Sequence, residues 1–217
     1  FVKANPNRYE SLMETFALKT MGSASLMAGA SRMSRLGLDA NDAGQSAIID
    51  VAAGVAAPLL VSYVLWIFEH ARKQKLKRLY FVSRDGQILL GIAKILQRKL
   101  KTAFDLRYLY GGRQAWHLPA LTDFGEIERR WISDSWGVDL ASMFRRVDIE
   151  PESIESLLSK YGIAPADFKK PAERLRPSQI RDLFKDQEMQ RLILERGVSK
   201  RPALEAYFKQ EGLFEDI

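Results

Sequence analysis

Two short polar runs carry the residues best suited to chemistry: Ser83-Arg-Asp-Gly86 and Gly111-Gly-Arg-Gln114. Each follows an apolar, aromatic run that reads as a strand, Leu79 to Ser83 and Leu106 to Tyr110. Ligands of open α/β sheets bind beyond the carboxyl ends of the strands, so the two runs together are the expected site. Gly86 lets the backbone turn into a helix whose free N–H groups and positive dipole end suit a phosphate. Arg84 and Arg113 each offer a bidentate contact to that anion, and Ser83 a phosphate-binding hydroxyl. Gly111 and Gly112 complete the substrate-binding set. Asp85 is the catalytic candidate: it could accept a proton, hold a magnesium ion or bond a sugar hydroxyl. A plainer role is open to the same residues, with Asp85 capping the helix and Arg84 pairing with it.

These loops need elements to hold them. Gln87 to about Leu100 repeats apolar residues at helical spacing (Ile88, Leu89, Ile92, Ile95, Leu96), with Lys and Arg near its end where the dipole favours them. Strand, helix and strand then form one unit, expected to be parallel and right-handed. Two strands do not make a stable parallel sheet, which needs both faces covered. Ala47-Ile-Ile-Asp50 is a candidate third strand; otherwise the remaining strands belong to missing segments of the same protein. The first residue is Phe1 with no signal-peptide pattern, and Glu211 to Ile217 runs just past a helix-terminating glycine. Both ends read as cut.

The fold class is therefore α/β: an incomplete Rossmann-like parallel-sheet unit followed by a helical region. Three segments are expected. Residues 1–44 are an N-terminal helical segment, capped at Asn7 and broken between Gly37 and Gly44. Residues 45–122 are the α/β phosphate-binding unit. Residues 123–217 are helical, with helices capped at Asp139 and Ser178, opened by Pro151, and running over 187–195 and 203–210 with Pro202 opening the last.

Val51 to Phe68 carries no charge and is followed by Arg72, Lys73, Lys75, Lys77 and Arg78, the look of a membrane span with a positive flank. Gly54 and Pro58 inside the run, and the strand directly after it, favour a core helix from Leu59 to about Lys75 covering the sheet. No membrane span is expected, and the location is cytoplasmic.

The chain has no cysteine and two histidines, His70 and His117, which excludes disulfides, thiolate catalysis and histidine-rich metal sites. A net charge of +6 suits anionic partners, or equally a solubility charge with no partner, since the basic residues are spread along the chain. His117, Trp131 and Trp136 are secondary candidates for lining a pocket or stacking on a ring; packed or surface positions suit them better. Residues 152–165 faintly resemble a helix-turn-helix without a basic recognition helix, so nucleic acid is not favoured.

On these residues the chain resembles a known family. Pro58-Leu-Leu, Trp66, the run from Arg78 to Gln87, and Tyr108-Leu-Tyr-Gly-Gly-Arg-Gln-Ala-Trp-His-Leu-Pro119 are similar to the second half of large bacterial proteins described as haloacid-dehalogenase-like (HAD superfamily) hydrolases, found near cell-surface polysaccharide genes. The likeness extends to Glu211-Gly-Leu-Phe214. It implies a dehalogenase-like domain before this region and further strands after it, and a phosphorylated sugar or nucleotide as ligand. Such phosphatases carry Asp-x-Asp-Gly after the first strand. Asp85 and Gly86 match the acid and the glycine, but Ser83 stands where the nucleophilic aspartate belongs, and an aspartyl-phosphate needs that carboxylate. The same run also resembles the pyrophosphate loop of a type I phosphoribosyltransferase, without that family's acidic phosphoribose motif. A non-catalytic scaffold whose helices bind a partner is the third reading.

Overall fold

Asn7 begins the first helix by supplying the acceptor that free N–H groups lack. Its Oδ1 accepts from the N–H groups of Tyr9 and Glu10, and Glu10 Oε2 accepts in return from the N–H of Asn7. This helix, α1 (Arg8–Glu14), lies against α2 (Ser23–Leu36). Glu10 is fully buried there, with Arg32 Nε at 2.9 Å and Arg35 Nε at 2.5 Å. Burial pushes its carboxyl up, but hydrogen bonds from Arg35, Arg32 and the Asn7 N–H outweigh that and hold it down at about 2.

The computed structural model describes residues 5–133, 139–170 and 177–215, which fall into two units, 1–109 and 110–217. In the first unit, α3 (Ala43–Val51) starts at an Asp42 cap. It runs through a π-helical turn at Ala52–Ala56 into α4 (Ala57–Lys73). The expected third strand at 47–50 is therefore helix: Asp42 caps it, and Ile48 and Ile49 sit among helix-compatible neighbours. Pro58 falls in the first turn of α4, directly after the wide turn. The continuous helix Ala43–Lys73 is 31 residues long, and by length and composition it could cross a bilayer.

The expectation that Val51 to Phe68 lies in the core holds only in part: Ala53 and Gly54 are buried in the π-helical turn, and so is the end of the run. Val64, Phe68 and Ala71 are buried, whereas Leu59, Tyr63 and Trp66 are exposed. A helix of this length, about 46 Å at 1.5 Å per residue, far outreaches a sheet of two five-residue strands.

β1 (Arg78–Val82) and β2 (Asp105–Leu109) pair in parallel, joined by α5 (Gly86–Leu100). Phe81 is buried with Val64, Phe68, Leu90 and Ala93, and Leu79, Leu106 and Tyr108 pack against them. The alternate face holds Arg78, Asp105 and Arg107 together with Tyr80, Val82 and Leu109. Arg78 Nε meets Asp105 Oδ2 at 2.6 Å, and Arg107 Nε meets the same oxygen at 3.0 Å. So the strands are not apolar on both faces; one face begins with an Arg78–Asp105–Arg107 ion-pair cluster. The Asp105 carboxyl, which its partial burial would raise, is lowered on balance by Arg107 and Arg78.

The second unit has a much larger core than the first. Its helices are α6 (Arg113–Ala120), α7 (Glu126–Ser133), α8 (Leu140–Arg145), α9 (Glu155–Lys160), α10 (Pro177–Leu183) and α11 (Gln187–Gln210), with 3₁₀ turns at Pro151–Ile154 and Pro165–Asp167. Phe144, Phe184, Leu158, Leu183, Met189 and Ile193 are among its fully buried side chains.

Asp139 caps α8 as expected, accepting from Ser142 N–H at 2.6 Å. Ser178 does not cap: it lies inside α10. The two helices expected at 187–195 and 203–210 are one, with Pro202 inside. Proline forfeits a bond to the carbonyl four residues back, yet Met189, Ile193 and Gly197 bury one stripe of α11 and α6 packs along it, so packing carries the helix through. A Cβ on Gly197 would stand 2.5 Å from the Leu118 carbonyl oxygen, which is why this crossing requires glycine. The chain is thus mixed α/β, with a small parallel sheet followed by a helical region.

Candidate functional site

The parallel register sets Val82 beside Leu109, and Ser83 N–H donates to the Leu109 carbonyl at 2.9 Å. Within the first unit the chain therefore turns out of the sheet at Ser83. The Ser83–Arg84 peptide is cis. Gly86 opens α5 so close to β1 that a Cβ would stand 2.6 Å from the carbonyl carbon of Phe81. Glycine at this position is a packing requirement as well as a turn signal.

Arg84 and Asp85 both project into solvent, at 93% and 83% exposure, and Arg84 Nε lies 3.3 Å from Asp85 Oδ1. Of the plainer role, the Arg84 pairing is present and the cap is not: Asp85 is the N-cap residue of α5, but its side chain accepts no bond from the first turn. Its backbone is already in the right-handed helical region, φ −68° and ψ −28°. Capping residues hold extended dihedrals there, which aim the side chain back at the N–H groups. The first turn of α5 therefore presents its N–H groups without a capping side chain.

An apolar groove of about 900 Å³ runs from Arg84 and Asp85 along α5, past Ile88, Ile92 and Ile95, with Leu60 of α4 on its other wall. Among the described residues no three His, Asp or Glu side chains come together in a way that could hold a metal.

No family model and no curated protein matches the chain.

Gly111, Gly112 and Arg113 belong to the second unit. Gly112 is the N-cap residue of α6 and Arg113 its first residue, both exposed. Gly111 instead packs directly on the Trp116 ring, leaving no space for a side chain. His117 is exposed with its ring 4.9 Å from that of Trp131, which packs partly buried against the core; Trp136 lies outside the described residues.

A cleft of about 630 Å³ in this unit draws on residues not legible as a site from sequence: Trp116 from α6, Arg145 and Asp148 from the end of α8 and just after it, and Lys200 and Tyr207 from α11. One signal was present. Lys200, Ala203, Leu204 and Tyr207 keep the i, i+3, i+4, i+7 spacing of one helix face, but dividing α11 at Pro202 hid it.

Proposed function

We propose that the strand–turn–helix segment Ser83–Gly86 binds the phosphate of a small phosphorylated molecule, a sugar phosphate or nucleotide. The chain would serve a dehalogenase-like protein of bacterial surface-glycan metabolism, in the cytoplasm. The observation that carries this reading is the uncapped start of α5 directly beyond the carboxyl end of a parallel strand, with Arg84 and Ser83 beside it. A phosphate there takes the place of the missing cap, with the dipole and the Arg84 guanidinium adding charge. β1, α5 and β2 are then one half of a Rossmann-like sheet whose edges take further strands from other segments of the same protein. Asp85 serves as proton acceptor or sugar-hydroxyl acceptor, and magnesium enters only as the counter-ion a substrate phosphate brings with it. Ser83 in the nucleophile position makes the chain inactive by itself as a dehalogenase-type phosphatase.

Titration calorimetry with inorganic phosphate and glucose 1-phosphate tests the site. Loss of a charge-assisted contact costs about 1.5–3 kcal/mol, so Arg84→Ala weakens binding roughly ten- to a hundredfold with the melting temperature unchanged. Equal binding by parent and variant removes the reading. Turnover of a phosphate ester that disappears in Asp85→Asn would show that the chemistry had been misassigned.

A second reading has its own observation. Leu18, Met21, Leu26, Met33, Ile48 and Leu59 are each more than half exposed on the first unit. Such a surface suits a scaffold that binds a protein partner or the rest of its own chain. It becomes the leading reading if Arg84 proves irrelevant to phosphate.

A further inference from the structure

One face of α11 sets a cation and an aromatic ring seven residues apart, about 10 Å along the axis at 1.5 Å per residue. Lys200 stands at one end and Tyr207 at the other, with Ala203 and Leu204 between them. All four line the ≈ 630 Å³ cleft of the second unit, a size typical of small-molecule sites.

The cleft is built from both ends. At the aromatic end, Tyr207 Oη accepts from the Tyr110 N–H at 2.8 Å, which fixes the ring tip. Trp116, also lining the cleft, is held edge-on to Phe208 with centroids 5.7 Å apart and seated on Gly111. At the charged end, Lys200 Nζ lies 2.9 Å from Asp148, and Arg145 donates to Ser142 Oγ. Asp148 itself holds φ +55°, a left-handed conformation that aspartate tolerates better than most residues. Between the ends the α11 lining includes only Ala203 and Leu204, and α6 adds Ala115; Ala115 and Ala203 are both exposed.

We infer that this cleft binds a nucleoside diphosphate, its base among Trp116 and Tyr207 and its phosphates at Lys200 and Arg145. A flat ring joined to an anion by a sugar is the ligand that such a stripe matches. Stacking on an aromatic side chain tolerates any base, so the site discriminates by the ring-to-anion distance more than by base identity. The incoming phosphate displaces Asp148 as the partner of Lys200. The site lies wholly in the second unit and is independent of the phosphate reading at Arg84.

The test is titration calorimetry of the whole chain with UDP and ADP, and with uridine and inorganic pyrophosphate as the two halves. Both diphosphates are expected to bind, and each half more weakly than either. Made on the Arg84→Ala chain, Ala203→Leu and Ala115→Leu, which fill the cleft from exposed positions, abolish the remaining UDP binding while circular dichroism and melting temperature stay at that chain's values. Lys200→Ala weakens UDP roughly ten- to a hundredfold, as loss of a charge-assisted contact does, and leaves uridine unchanged; Asp148→Asn tightens UDP. Arg84→Ala removes only the first unit's phosphate site, so UDP still binds that chain; if Arg84→Ala alone removes all UDP binding, the nucleotide sits in the first unit and this assignment is wrong. Failure of both UDP and ADP to bind, or undiminished binding in a folded Ala203→Leu or Ala115→Leu chain, overturns it equally.

Discussion

Gly111 lies against the six-membered ring of Trp116 so closely that a Cβ would stand 1.8 Å from Cζ2. The first glycine of the Gly-Gly pair is therefore a seat for an indole. Its neighbour Gly112 has open space where a Cβ would go and extended dihedrals, φ −167° and ψ 165°, that any residue adopts. Gly111→Ala is expected to lower stability by about 1–3 kcal/mol through overpacking, and to change Trp fluorescence. Gly112→Ala changes neither. Thermal melts of the two single variants check the contrast; equal behaviour would mean that the ring does not sit on Gly111.

Two glycines of α5 divide in the same way. Gly86→Ala forces a Cβ into the backbone of Phe81 and disrupts the strand–helix turn. Gly91 is exposed, helical and free of any neighbour within 4 Å of a Cβ. Gly91→Ala should stabilise the chain by about 0.5–1 kcal/mol, because alanine loses less backbone freedom on entering a helix. Urea midpoints that move in opposite directions for the two variants are the expected outcome.

Glu10 gives the first unit a pH dependence. Its folded value of about 2 lies below the ordinary 4.5. A carboxylate depressed on folding contributes stability that is full above the unfolded value and drains away as pH falls through the folded one. Packing of α1 on α2 is therefore expected to weaken from about pH 4.5 down to about pH 2. Glu10→Gln removes the carboxylate shared by Arg32 and Arg35 and costs about 1–3 kcal/mol at neutral pH, since Arg35 keeps the Asn5 carbonyl and Asp50 and Arg32 reaches water. Hydrogen exchange over residues 8–36 reads both; protection that stays constant to pH 2 in the parent would dismiss the linkage.

Asp186 ties the start of α11 to α9. Its carboxylate accepts from the N–H groups of Glu188 and Met189 and, at 2.6 Å, from the Tyr161 hydroxyl. Those bonds, Tyr161 first, hold its carboxyl below the usual aspartate range and push the Tyr161 phenol up. Asp186→Ala is expected to cost about 1–2 kcal/mol, as the loss of a helix cap does, while Tyr161→Phe leaves the cap and costs less. Chemical denaturation of both variants separates the cap from the hydroxyl.

Local chemistry was legible in the sequence wherever a residue acts on its chain neighbours. Asn7 and Asp139 cap the helices they precede, the 3.6-residue repeat from Ile88 marks α5, and the aromatic runs before Ser83 and Tyr110 are strands. Each is decided within one turn or one strand. What needed the tertiary structure was every choice settled by a distant partner. Ile48 and Ile49 suit strand or helix equally by type; the Asp42 cap starts a helix there, and Asp50 near its end meets Asn7 and Arg35 from distant segments. Pro202 argues locally for a break, and the buried stripe of α11 against α6 overrules it. Asp85 had the right type to cap α5, but entering the helix with right-handed dihedrals aims its carboxylate at Arg84. The glycines show the same division. The sequence shows glycines at 86 and 111 just after the strands, but only the folded chain brings Phe81 and Trp116 into the space their side chains would fill.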